Sequence, residues 1–343
     1  PASKRLQFAG PGDITLTGQG FFNNSGGAWA YYQIEHFGTG TFDLQSTNRL
    51  FMLNAQQGVD NYAGTFKISN GGMLRSANGQ WLTSYNSATT WFDNTAQAIS
   101  GRLGVYFGIE VLGGTFRYSG NANAFVSEYH QNNFASTAGN NVLQVDTTAA
   151  GTALVFTGLQ GNSDNYTLYT AGPTGYAFGS SQNRVLFATA PGLTNGIIPR
   201  AVVQDATGFN FAGYNAPGVL SVPTGLYGNA SLTTAGSLDG AATSAIFGQS
   251  TDTKLAGRAQ VNALKLNNAT VGAFAGLQTL DLSGTGMLLA TGNATLGAGV
   301  LVNTGANIPS FMVGDGSTLV VNGSSVNSTL GWHKDLEIGR AHV

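Results

Sequence analysis

Not one cysteine occurs among the 343 residues, so no disulfide framework can staple this chain together. A cysteine-free composition also permits passage through an oxidising compartment without mispairing, a weak pointer outward from the cell. Charge is almost as scarce. Only 9% of residues are charged, against about a quarter in an ordinary soluble domain, which excludes a charged disordered tail and is unlike a typical helical enzyme. The 14 basic and 16 acidic residues are scattered, with a net charge of −2. No basic stripe exists to displace counterions from a phosphate backbone, so nucleic acid is not an expected partner. No apolar run approaches the roughly 18 residues of a membrane helix, so no transmembrane segment is expected in this fragment. Helical periodicity is missing too. The Ala-rich pieces "DNTAQAIS" and "VGAFAGLQ" carry too few anchors for a helix.

What remains is glycine (50 residues), abundant Thr, Ser, Asn and Gln, and 42% hydrophobics. A short unit recurs: Thr, apolar, variable, apolar, as in "GTFDL", "GTFKI", "GTFRY", "GTALVF", "QTLDLSG" and "STLVVNG". Phe42 and Leu44, Phe66 and Ile68, Phe116 and Tyr118, and Leu280 and Leu282 each flank a charge: Asp43, Lys67, Arg117 and Asp281. With a side-chain period of two, the flanking pair faces a core and the charge faces water, the signature of a half-buried strand. Between these strands lie "SNGG", "SGNAN", "TGNAT" and "VNGSS", rich in residues that accept positive φ or bond their own backbone in turns.

Such strands can build a sandwich, a propeller or a solenoid, and the composition favours the solenoid. There each strand pairs with the next coil, turns crowd together and like side chains align, which penalises charge and rewards Thr, Asn and aliphatics. Thr41 and Thr65 are 24 residues apart, and Thr65 and Thr115 are 50 apart. Those distances fit one coil and two coils of roughly 20 to 29 residues, whereas propeller blades are nearer 40 to 45. A pair of β-sandwiches is the alternative. Five of the eight prolines (Pro173, Pro191, Pro199, Pro217 and Pro223) fall in residues 173–223. That stretch is expected to hold edges, bends or a projecting loop, an irregular excursion without being a separate domain.

The segments "GTFKISNGGML", "LGGTFRYSGNA", "NRVLFATAPGLTNGIIPRAVV", "ALKLNNATV", "GVLVNTGA" and "GSTLVVNGSSVNSTLGWHKD" resemble the bacterial surface proteins built from autotransporter-associated β-strand repeats, over most of residues 38–335. The resemblance implies a right-handed parallel β-helix and a surface-displayed or secreted passenger role, with an extracellular or cell-surface location. It carries no catalytic, cofactor-binding or metal-binding residues. The last six residues, "IGRAHV", are what ATC GGA AGA GCA CAC GTC encodes, a stretch of a widely used short-read sequencing adapter. Residues 338–343 therefore read as translated adapter with Glu337 at the junction. The expected organisation is all-β: a β-solenoid over 1–337, a fragment truncated at both ends.

A search for chemistry finds little. Of the four histidines, His342 lies in the adapter-like tail and His333 stands alone; His36 follows Glu35, and His130 lies two residues from Glu128. Residues two apart in a strand share a face. Such a pair could bind metal or act as acid and base, but no third ligand is signalled, so a solvated polar face is expected. "VGDGST" and "GVDNY" each offer a single carboxylate, as ordinary turns do. β-Helical polysaccharide lyases and hydrolases need clustered carboxylates, and here Asp146, Asp164, Asp205 and Asp239 stand far apart in sequence. Trp29, Tyr31, Trp81, Tyr85 and Trp91 could stack on sugar rings, although inter-coil packing is the commoner use of aromatics. Six Asn-x-Ser/Thr sequons (Asn23, Asn165, Asn229, Asn268, Asn293 and Asn322) arise by chance in so Asn- and Thr-rich a chain. The expected function is a non-catalytic stalk or adhesive passenger that meets a surface glycan or a neighbouring-cell ligand and needs no cofactor. The alternative is a carbohydrate-binding or polysaccharide-cleaving β-helix, recognisable by Trp and Tyr lining one exposed face beside two or more carboxylates.

Overall fold

Short alternating segments that begin at Thr and end at an Asn- or Gly-rich turn can satisfy their backbone only by pairing with a neighbour, and here each pairs with its counterpart one coil away. The structure, a computed structural model, describes residues 4–17, 32–45, 49–52, 58–76, 79–161, 165–222, 227–228, 246–307, 309–322 and 325–327. The tail at 338–343, Trp29, Tyr31, Asp164, Pro223, Asp239, His333 and His342 lie outside the described residues. Every described element is a strand, and parallel strands stack as a β-solenoid of about ten turns. Two compact units share the chain. One comprises 1–191, 203–208 and 214–220, the other 192–202, 209–213 and 221–343.

In the first unit the coils present three faces. The first face runs through strands Lys4–Phe8, Tyr32–His36, Val59–Asn61, Gln80–Tyr85 and Phe107–Leu112 to the start of Phe134–Asp146. The second runs through Ile14–Leu16, Thr41–Leu44, Thr65–Ile68, Thr89–Asp93 and Thr115–Ser119 to the end of that same 13-residue strand, which turns the corner between faces without a break. The third carries Arg49–Met52 on Met73–Ser76 and, higher up, Val126–Tyr129, Thr152–Phe156 and Asn183–Phe187.

The register gives the coil length directly. Thr41 pairs with Thr65, Thr65 with Thr89 and Thr89 with Thr115, so the 50-residue interval is indeed two coils. Inside, Phe42 stacks on Phe66 at 5.3 Å and Phe92 meets Phe116 edge-on at 5.1 Å, all four rings fully buried. Stacked pairs of this kind add about 1 kcal/mol each beyond their buried area.

The second unit follows the same plan with a different filling. Its strands Ala263–Asn267, Met287–Thr291 and Ser310–Val313 stack on one face, Thr270–Ala273, Asn293–Leu296 and Thr318–Val321 on another, and Gln278–Asp281, Val300–Asn303 and Ser325–Asn327 on the third. The core is aliphatic, with Leu264, Leu266, Val271, Leu280, Leu288, Leu296 and Val302 at its centre.

The proline-rich stretch is more regular than its composition predicts. It contains strands Asn183–Phe187, Ala201–Asp205, Gly208–Asn215 and Gly218–Ser221, and its four described prolines all sit outside them, Pro173 before the first and the other three between them, as the missing N–H requires. Segments 192–202 and 209–213 lie back along the second unit's outer surface. The Arg200 amide donates to Met287 Sδ, Asn262 Nδ2 to the Thr194 carbonyl and Lys265 Nζ to Asn210 Oδ1. This cover explains why Met287, Leu288, Leu289 and Ala290 are all buried, although an alternating strand should show every second side chain to water.

Candidate functional site

Parallel in-register pairing turns each outward position into a column, with neighbouring rungs about 4.8 Å apart. On the first face of the first unit one column reads Gln7, Glu35, Asp60, Thr83, Glu110. Three carboxylates therefore line one strip. Glu35 is capped by the Arg5 guanidinium at 2.9 Å and by Gln7 Nε2 at 2.7 Å; Asp60 accepts from Gln33 Nε2; Glu110 accepts from Thr83 Oγ1 and Thr137 Oγ1. Burial pushes the Asp60 carboxyl above its usual range; the Gln33 bond opposes this, and the nearby Glu35 and Glu110 charges add to it.

Two residues further along the same strands, and so on the same side, runs an aromatic column. Phe37, Tyr62 and Tyr85 stack with centroids 4.6 Å apart at both steps and interplanar angles of 3° and 15°. Tyr62 is sandwiched between the other two rings along the solenoid, while Phe37 at the end of the column is exposed. Trp81, two residues before Thr83, lies across the next coil. A Cβ on Gly108 would meet its ring at 2.5 Å, so the position is glycine because the indole occupies the space.

The second face solves the same stacking problem with alternating charge. Its outward column reads Thr15, Asp43, Lys67, Trp91, Arg117, Gln144. Trp91 is clasped between Lys67 Nζ and the Arg117 guanidinium, each 4.2 Å from the ring centroid. Lys67 pairs with Asp93 at 2.8 Å and Arg117 with Asp146 at 2.7 Å. Burial alone would raise the Asp93 carboxyl; the Lys67 ammonium and the Thr95 hydroxyl and amide overcome it and hold the group below its ordinary range. The expected water-facing charges are on the outside, yet Asp43 is only 7% exposed and Asp281 is fully covered, because rungs above and below enclose them.

The two histidine pairs separate. Glu35 and His36 are neighbours in a strand and point to opposite sides. His36 is inside, with Nδ1 2.9 Å from Asn61 Oδ1. Glu128 and His130 do share a side, but it is the inner one, and both are fully buried, which corrects the expectation of a solvated face. Glu128 accepts from the backbone amides of Arg102 and Leu103. The buried Arg102 side chain donates to Asn94 Oδ1 and to the carbonyls of Gly72 and Gln97. These charges close backbone gaps where residues 94–103 replace a full third-face strand. His130 stacks on Phe156 at 5.1 Å, and burial pushes its imidazole down to about 3, so it stays neutral.

The dispersed acids also have structural partners. Asp146 pairs with Arg117, and Asp205 accepts from the Phe178 and Thr207 amides. Of the sequons, Asn165 is buried with its amide against Ser136, Asn268, Asn293 and Asn322 are exposed, and Asn23 and Asn229 lie outside the described residues. Among the described residues no three of His, Asp and Glu gather as metal ligands, and no helix is long and apolar enough to cross a membrane.

Fold and columns together define a parallel β-solenoid whose first unit carries one acidic, ring-edged face and one face of alternating charge. No protein-family model matches the chain, and neither the curated proteins nor the solved structures contain a match to it.

Proposed function

We propose that this chain is a non-catalytic β-solenoid passenger, displayed on a cell surface or secreted, that serves as a stiff spacer or adhesive stalk. The observation that carries this reading is the use made of its aromatic and charged side chains. The faces of Tyr62 and Trp91, the residues best suited to stack on a sugar, are occupied by the coils above and below. Charges on the second face are matched rung to rung. Side chains spent on coil-to-coil cohesion build length rather than a pocket. The resemblance to autotransporter-associated repeats supports the same role.

The acidic column favours a second reading, a carbohydrate-binding or polysaccharide-cleaving face. Glu35, Asp60 and Glu110 share one strip beside half-exposed rings, and Asp60 is biased toward its protonated form, as a general acid requires. One experiment separates the two. The full chain is screened on a glycan array and assayed for release of reducing ends from acidic and neutral polysaccharides, alongside Asp60→Asn. The passenger reading expects no turnover, and labelling of intact source cells by an antibody to the chain. Turnover in the parent that is lost in Asp60→Asn would replace it with the enzymatic reading.

A further inference from the structure

In the second unit, the polar contacts between segment 209–213 and the solenoid include a pair with unusual chemistry. Lys265 Nζ lies 2.7 Å from Asn210 Oδ1, and the Tyr227 hydroxyl approaches that same oxygen at 3.5 Å. Asn210 is 5% exposed and Lys265 half-buried, at the wall of a pocket of about 240 Å³ shared with Gln249, Ser250 and Asn267. A lysine on a half-buried strand would ordinarily find a carboxylate; among the described residues this one faces an amide. The strand neighbours of Lys265 across the coils are Gly248 and Leu289, neither of which can take its charge.

We propose that Lys265 and Asn210 join in an intramolecular isopeptide bond that straps segment 209–213 covalently onto the solenoid. The deprotonated Nζ attacks Asn210 Cγ, the new Nζ–Cγ amide bond forms and the Cγ–Nδ2 bond breaks. The proton shed by Nζ passes to Nδ2, directly or through the Tyr227 hydroxyl, and Nδ2 leaves as ammonia. Nothing is oxidised or reduced and no co-reactant is consumed, so the chain simply becomes lighter by about 17 Da, the mass of the departing ammonia, in an acyl transfer to a lysine amine.

Three features favour the step. The amine already hydrogen-bonds the oxygen of the amide it would attack, so a small shift of Nζ toward Cγ replaces a bimolecular encounter. Burial holds the lysine below its ordinary pKa, enlarging the nucleophilic fraction. Burial also keeps Tyr227 protonated, pushed up to about 12, so its hydroxyl can donate to the Asn210 oxygen as negative charge develops there. A chain with no cysteine has no disulfide with which to make such a strap, and an amide would serve the same end.

The test is intact-mass and peptide mass spectrometry of the full chain, folded, purified and then denatured. The expected result is a mass about 17 Da below that of the sequence, from loss of one ammonia at the acylated lysine. Trypsin should then fail to cut after Lys265 and should release residues 201–254 covalently joined to 259–334. Lys265→Met and Asn210→Ala should each restore the full mass. Tyr227→Phe should slow the reaction on refolding by about a hundredfold, the usual loss on removing a general acid. The proposal is overturned by an unshifted parent mass with free peptides 259–265 and 266–334, or by a mass loss that maps to any other asparagine. Neither outcome depends on a variant folding, because the deciding measurement is on the parent chain.

Discussion

The first and second faces of the first unit stack their rungs by different means. On the second face, Asp43, Lys67, Trp91 and Arg117 stack so that each cation meets both a carboxylate and the Trp91 ring, while Asp43 accepts from Ser69 and Gln45. On the first, Glu35, Asp60 and Glu110 repeat one sign; Arg5 pairs with Glu35 at one end, and the rest of the cohesion comes from the neighbouring rings and from neutral donors such as Gln33, Thr83 and Thr137. In-register pairing amplifies whatever it is given. Complementary rungs become a zipper, and like rungs become a column of strain that other side chains must offset.

Acid would compare the faces directly, but the interior dominates the response and must be silenced first. The imidazole of His130 titrates at about 6.5 when unfolded and near 3 when folded, so its contribution is intact above pH 6.5 and drains away as pH falls. Chemical denaturation between pH 6.5 and 4 should lose up to about 1.4 kcal/mol per pH unit from this group, and His130→Phe should flatten that slope. An unchanged slope in the variant would place the acid sensitivity elsewhere.

With that removed, the next largest effect belongs to the zipper. Trp91→Ala strips the ring from between two cations and should cost about 3 kcal/mol in denaturant unfolding. Tyr62→Ala, which interrupts the ring column on the acidic face, should cost about 1 to 2 kcal/mol. A larger loss for Tyr62 than for Trp91 would reverse the ranking of the two faces.

The sharpest contrast is one of sign. Asp93 has a depressed carboxyl pKa, so its stabilisation is present above the unfolded value of 3.8 and is lost as pH falls through the folded value. Asp60 has a raised one; its favourable contribution is present below 3.8 and is lost as pH rises through the folded value. At pH 7 Asp93→Asn should destabilise and Asp60→Asn should stabilise, each by about 1 kcal/mol. Matching signs would dissolve the distinction. Smallest of all is the response to salt. Ionic strength raised from ~0.01 to ~1 M shortens the screening length from about 30 to about 3 Å. The gain from Asp60→Asn should shrink accordingly, by a few tenths of a kcal/mol.

Much of this solenoid is legible in the chain. The Thr-led alternating segments are strands, Phe42, Leu44, Phe66 and Ile68 lie inside, and the 24- and 50-residue intervals match one and two coils. The rung at Thr89 is hidden in the sequence because Ala88 stands where its counterparts at 40, 64 and 114 have glycine. The columns are harder to see. Which outward residue sits above which depends on coil lengths that vary by a residue or two, and a one-residue slip exchanges the faces. That is why Glu128 and His130 read as a solvated pair. Their burial depends on Arg102, 26 residues earlier, reaching the same interior, a coincidence of register that alternation alone cannot reveal.

The fit of Trp81 over Gly108 carries a further consequence. Coils of nearly equal length invite the view that such a chain grows by duplication and that its modules can be shuffled like beads. An indole that needs a bare backbone on the next coil forbids that trade: a copy of the 80–85 strand set above any coil with a side chain at that position would collide with it. Neighbour order is thus written into side-chain size, and a recombined array would have to keep this pair together or redesign both partners at once.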